Sequence, residues 1–178
     1  MKMTTLTKSF LFLGLFTLNS HAMDEQTFKK QAGQRAETFM KMLKSELQKG
    51  VKKGLPEGIG HCKVEAPIVT AKSNEGKWSL GRTSHKVRNQ SNTPKKWMLS
   101  YLDEYRKSKK QEASVVKMGE NHYVLLKPLY VAGLCLNCHG TTIPKKVQSA
   151  IKKDYPEDQA HGFKAGDFRG FVWVEYKE

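Results

Sequence analysis

The run Gly133-Leu134-Cys135-Leu136-Asn137-Cys138-His139-Gly140 constrains this chain more than any other feature. Two thiols three positions apart can each add to a vinyl group on one edge of a porphyrin, and the imidazole that follows is carried beneath the iron. Cys-x-x-Cys-His is therefore the attachment signature of haem c. It nominates Cys135 and Cys138 as thioether cysteines and His139 as an iron ligand, and asks for a fold that encloses one covalent haem. Other uses of the spacing fit less well. A thioredoxin-like pair follows a strand and opens a helix, and a zinc site needs a second ligand pair. The sequence holds one further cysteine, Cys62, and no second Cys-x-x-Cys or His-x-x-x-His pair.

The ends agree with that chemistry. Lys2 and Lys8 precede an apolar stretch, Phe10 to Leu18, and Ser20-His21-Ala22 offers small residues where a signal peptidase inspects them. Residues 1–22 are thus expected to be a cleaved secretory signal and 23–178 one haem-enclosing domain. The stretch is shorter than the ~20 residues that span a bilayer, and no transmembrane segment is expected in the mature chain. Haem c is attached outside the cytoplasm, where free thiols meet oxidants, so a periplasmic location is expected.

The formal net charge is +14. An exported chain meets little nucleic acid, so this charge reads either as a solvated lysine surface or as steering toward acidic redox partners or anionic lipid.

Periodicity supplies the elements. Phe28, Ala32, Ala36, Phe39, Leu43 and Leu47 form one face of a helix from about Asp24 to Gln48. Gly50, Gly54, Pro56, Gly58 and Gly60 predict a break, with a loop or short helix leading to His61-Cys62, and Pro67 predicts that a helix carrying Cys62 ends or kinks there. A strand is expected within Lys77 to Ser84, and a second amphipathic helix from Pro94 with Thr93 as its N-cap, carrying Trp97, Tyr101, Leu102 and Tyr105. Ala113 to Lys117 and His122 to Val131 read as a hairpin turning at Gly119-Glu120-Asn121, Pro144 to Lys153 as a lysine-rich helix, and Phe171 to Tyr176 as a final strand. The expected class is α+β: an antiparallel sheet with helices packed on it and the haem between layers.

With two cysteines consumed, Cys62 stands alone in an oxidising compartment. Either it is buried and inert, or its thiolate coordinates the iron. His61, His85, His122, His161 and several methionines are the other candidates for the sixth ligand. His61 and Cys62 are sequence neighbours whose side chains diverge in helix or strand, so one of them is a bystander. Arg82 and Arg88 either grip a haem propionate or tie loops together.

Several stretches, taken in order, carry a resemblance: Gly60-His61-Cys62-Lys63-Val64-Glu65-Ala66-Pro67, Gly81-Arg82-Thr83-Ser84, Arg88-Asn89 with Asn92 and Pro94, the Cys-x-x-Cys-His, and Gly166-Asp167-Phe168-Arg169-Gly170. The chain resembles the exported single-haem c-type family with a PAS-like fold, which occurs alone or as the sensing part of bacterial signalling proteins. The resemblance implies a PAS-like antiparallel sheet, haem c on His139, and Cys62 as the opposite axial ligand.

The expected function is electron transfer or redox sensing. The alternative is a gas sensor for NO or CO in which Cys62 leaves the iron on reduction. No distal acid–base residue is marked, so an enzyme such as a peroxidase is not expected.

Overall fold

A computed structural model describes residues 23–178. The expected signal segment lies outside the described residues.

Helix α1 (Glu25–Val51) opens where Asp24 accepts a 2.9 Å hydrogen bond from the Thr27 amide, and it buries Phe28, Ala32, Ala36, Phe39 and Leu43. These are the residues whose spacing predicted the helix. It runs three residues past the expected end at Gln48. The chain then reverses at Gly54, whose φ of 135° lies where a side chain would be strained, and enters α2 (Leu55–Ser73).

Here the structure corrects two expectations. Gly58 and Gly60 are inside the helix rather than in a loop, because the helix pair needs Gly58 small. A Cβ there would stand 3.0 Å from a Val51 methyl, and one on Gly50 would stand 2.8 Å from the His61 Cβ. The two helices thus touch almost backbone to backbone. Pro67 does not end α2, which continues to Ser73. Pro67 and Lys63, the residue whose carbonyl loses its partner, are both exposed, so water can take the freed oxygen.

The sheet is antiparallel, in the order β1 (Trp78–Thr83), β4 (Phe168–Lys177), β3 (His122–Tyr130), β2 (Ser114–Gly119). Alternation along the strands sorts side chains onto two faces. Trp78, Leu80, Tyr123, Leu125, Val172, Val174 and Tyr176 meet α1, where Phe28 stacks on Trp78 and Tyr123 at centroid distances of 5.8 and 5.2 Å. Val124, Leu126 and Phe171 face the other way, against α3 (Leu99–Ser108) and its Leu102 and Tyr105. The second amphipathic helix therefore exists but begins later than expected. A 3-10 turn at Lys96–Met98 precedes it, and Thr93 closes another at Gln90–Asn92 instead of capping α3.

After β3 the chain makes a 3-10 turn (Gly133–Cys135) and the one-turn helix α4 (Leu136–His139). Helix α5 (Lys145–Asp154) follows and lies against α2. The α+β class holds.

Candidate functional site

His139 sits at the end of α4, and a facing loop fixes it. The Phe163 amide donates to the His139 carbonyl at 3.0 Å, and the Gly162 amide to the Gly140 carbonyl at 2.9 Å. The ring Nδ1–H donates to the Ala160 carbonyl at 2.6 Å. An imidazole that donates from Nδ1 keeps its proton there, and in the neutral ring the Nε2 lone pair is then free for a metal. Burial, followed by the fields of Arg88 and Arg169, pulls the ring's pKa down to about 3, so it is neutral at physiological pH.

Arg88 builds this arrangement. Its Nε and Nη2 grip the two Asp158 oxygens at 3.0 and 3.2 Å, and Nη2 also donates to the carbonyls of Cys138 at 2.5 Å and Ala160 at 3.3 Å. Asp158 Oδ1 accepts the Ala160 amide at 2.9 Å. One guanidinium therefore ties the Cys-x-x-Cys-His segment to the loop that holds the His139 imidazole. Of the two roles sequence left open for Arg88, these contacts are those of a loop tie.

Arg82 behaves differently. It projects from β1 on the face toward the helices and forms no hydrogen bond or ion pair among the described residues. Burial lowers its pKa, against the fields of Cys62 and Tyr155. Arg169 is a third guanidinium beside these two. It donates from Nη1 to Ser84 Oγ at 2.7 Å and the Lys86 carbonyl at 3.0 Å, and burial with repulsion from Arg88 and Arg82 brings its pKa down to about 10.

Cys62 lies on α2, facing this group. Burial pushes its thiol up, Arg82 pulls it down, and the fields of Cys138 and Arg88 also reach it. Cys62, Cys138, Arg82 and Arg88 are thus near enough to feel one another's charge. All three cysteines are free and half-buried. Cys138 packs on Ile59, Val147 and Ile151, and Cys135 on Val131, Ala160 and Phe163.

The other candidate ligands are engaged or elsewhere. His61 turns toward α1 and pairs with Glu46 at 3.0 Å, diverging from Cys62 as adjacent residues must. His122 pairs with Glu175 at 2.7 Å, His161 is exposed, and His85 stacks on Phe168. Among the described residues no three His, Cys, Asp or Glu side chains gather as a group that could hold a bare metal ion.

Sequence reasoning did not single out Arg169, Asp158 or Ala160. Arg169 was visible in Gly166-Asp167-Phe168-Arg169-Gly170. Asp158 stands in no motif, and Ala160 acts through its carbonyl, which side-chain identity does not encode.

A family model described as Tll0287-like matches residues 25–176. The chain belongs to the Tll0287-like family. Among solved structures, the Tll0287-like chain is similar to one titled as the cyanobacterial heme-protein Tll0287. The TM-score is 0.62 and the identity 19%, over 88% of this chain and 98% of that one. No curated protein matches it.

Proposed function

We propose that this Tll0287-like protein carries one covalent haem c on Cys135 and Cys138, ligated by His139 and by Cys62, and acts in periplasmic electron transfer or redox sensing. What supports this reading is an imidazole whose Nδ1 is pinned and whose Nε2 has no partner among the described residues, together with an Arg82 guanidinium, likewise without one, whose field reaches Cys62. The solved relative is itself titled a haem protein.

The residues fit the group. His139 offers a neutral nitrogen donor in a fixed orientation. Arg82 has the planar donor fork that suits a propionate, and Cys62 brings a sulfur from the facing helix. When bound, the haem supplies one-electron redox chemistry. Thiolate donation from Cys62 would favour the ferric state and set a midpoint potential well below that of a His/Met cytochrome. Arg88 and Asp158 keep the Ala160 carbonyl on His139 Nδ1 and so hold its ring at one angle. The formal net charge of +14, or +12 once Lys2 and Lys8 leave with the signal, favours an acidic docking partner.

A second reading draws on the Cys62 environment. Burial favours the neutral thiol, a poor ligand for ferrous iron, so reduction would release the sulfur and open a position for CO or NO. Intact mass of the exported protein tests attachment, and an increment of one haem is expected. Optical redox titration of wild type and Cys62→Ala tests the sulfur, because an unchanged ferric spectrum rules it out as a ligand. CO added to the reduced protein separates a closed carrier, which does not respond, from a sensor, which does.

A further inference from the structure

A cavity of about 770 Å³ lies on the sheet face away from α1, between α3 and the loops at 84–94 and 159–168, lined by His85, Leu99, Leu102, Arg106, Phe163 and Phe168 among others. Its walls are of two kinds. The rings of Phe163 and Phe168 and the side chains of Leu99 and Leu102 are apolar, and Phe163 meets His85 edge-on at 5.7 Å. Around them the charges are mostly positive. Lys86, Arg106 and Lys109 line the cavity beside Asp103 and Asp167. Asp103 pairs with Arg106 at 2.7 Å and with Lys107 at 2.6 Å, and Asp167 accepts the Lys164 amide at 2.7 Å; the lining residues Lys86, Arg106, Lys109, Asp103 and Asp167 together leave a formal charge of +1. In the same wall, His85 Nδ1 is buried with no hydrogen-bond partner among the described residues.

A space with apolar walls, residual positive charge and an unsatisfied polar atom matches a molecule with an apolar body and one anionic end. Its position adds a consequence. Phe163 forms part of its wall and also meets the His139 ring edge-on at 6.4 Å. The backbone from Gln159 to Phe163 holds His139 through the Ala160 and Phe163 bonds described above, so its other side faces the proximal imidazole.

We propose that this cavity binds a small amphipathic monocarboxylate, and that occupancy reaches the proximal histidine through the Gln159–Phe163 segment. The binding stands independently, whereas its effect on the iron rests on the haem reading above.

The test uses the full mature protein with benzoate and octanoate as probes, read by titration calorimetry, thermal denaturation and midpoint potential. Wild type is expected to bind at least one probe in the millimolar range or tighter, with a rise in melting temperature and a displaced midpoint. Leu99→Trp places a ring in the cavity from a residue that is 52% exposed, and Arg106→Gln removes a cation whose side chain is 53% exposed; each is expected to weaken binding by at least ~10-fold. Absence of binding by haem-loaded wild type overturns the proposal, as does binding that both variants retain. Binding with an unmoved midpoint overturns the link to His139. Protein that lacks the haem mass increment but still binds the probes fails the haem reading and leaves this site standing.

Discussion

The α1 face of the sheet and the space between α2 and α4 are built on opposite terms. On the α1 face Phe28, Ala32, Ala36, Phe39 and Val172 are fully buried and the rings of Phe28, Trp78 and Tyr123 stack. Around Cys62 and His139 the cysteines are half-exposed, and three guanidiniums face one bonded carboxylate, Asp158. The first region is a core that specifies and stabilises the fold. The second holds polar groups at a cost that the first must offset, which is how functional sites depart from the rules that shape cores.

The largest expected effect tests whether the two are separable. Cys135→Ala with Cys138→Ala abolishes the haem increment in intact mass and the peroxidase stain on a denaturing gel, while circular dichroism keeps the helix and sheet content. Loss of that content would mean that the fold depends on the attachment motif. Next, Phe28→Ala removes a buried ring from the α1 face and costs about 3–5 kcal/mol in urea unfolding of the haem-free protein. A cost near zero would deny that this face is the core.

Arg82→Gln sharpens the contrast through opposite signs. Haem-free protein is expected to gain stability, because a desolvated and unpartnered charge is removed, while haem-loaded protein shifts its midpoint potential by losing a propionate partner. A loss of stability in the haem-free form would show that Arg82 has a structural partner. The smallest expected effect is a pH slope. Burial, with the fields of Arg169 and Arg106, holds the His85 pKa below its ordinary value of 6.5. The unfolded chain therefore binds this proton first as the pH falls. The stability it contributes is present above the ordinary value and is lost as the pH falls through and below about 6.5. Denaturant midpoints of wild type and His85→Phe across that window check it, the variant having the shallower slope.

Much of the fold is legible in the sequence because period and burial coincide. The α1 face presents its apolar residues at helical spacing, while the hairpin and the last strand are marked by β-prone runs and by the turn at Gly119-Glu120-Asn121. The failures share a cause. Gly58 and Pro67 have strong local preferences, and α2 overrides both through a neighbour that a linear reading does not contain: α1 for Gly58, solvent for Pro67. The site divides in the same way. Its candidate residues stand in motifs, but what separates Arg82 from Arg88 is the presence of Asp158 seventy residues away from Arg88, and the His139 imidazole is oriented by a backbone oxygen.

The near-contact of α1 and α2 at Gly50 and Gly58 also has a reach beyond those residues. Cys62 lies one helical turn past Gly58, so the interaxial distance at that crossing works as a gauge for where the sulfur stands relative to the imidazole opposite. A single methyl group added at the crossing would push α2, and Cys62 with it, outward. Under the proposed ligation by Cys62 and His139, two residues that carry no side chain would thereby set the span between the donors.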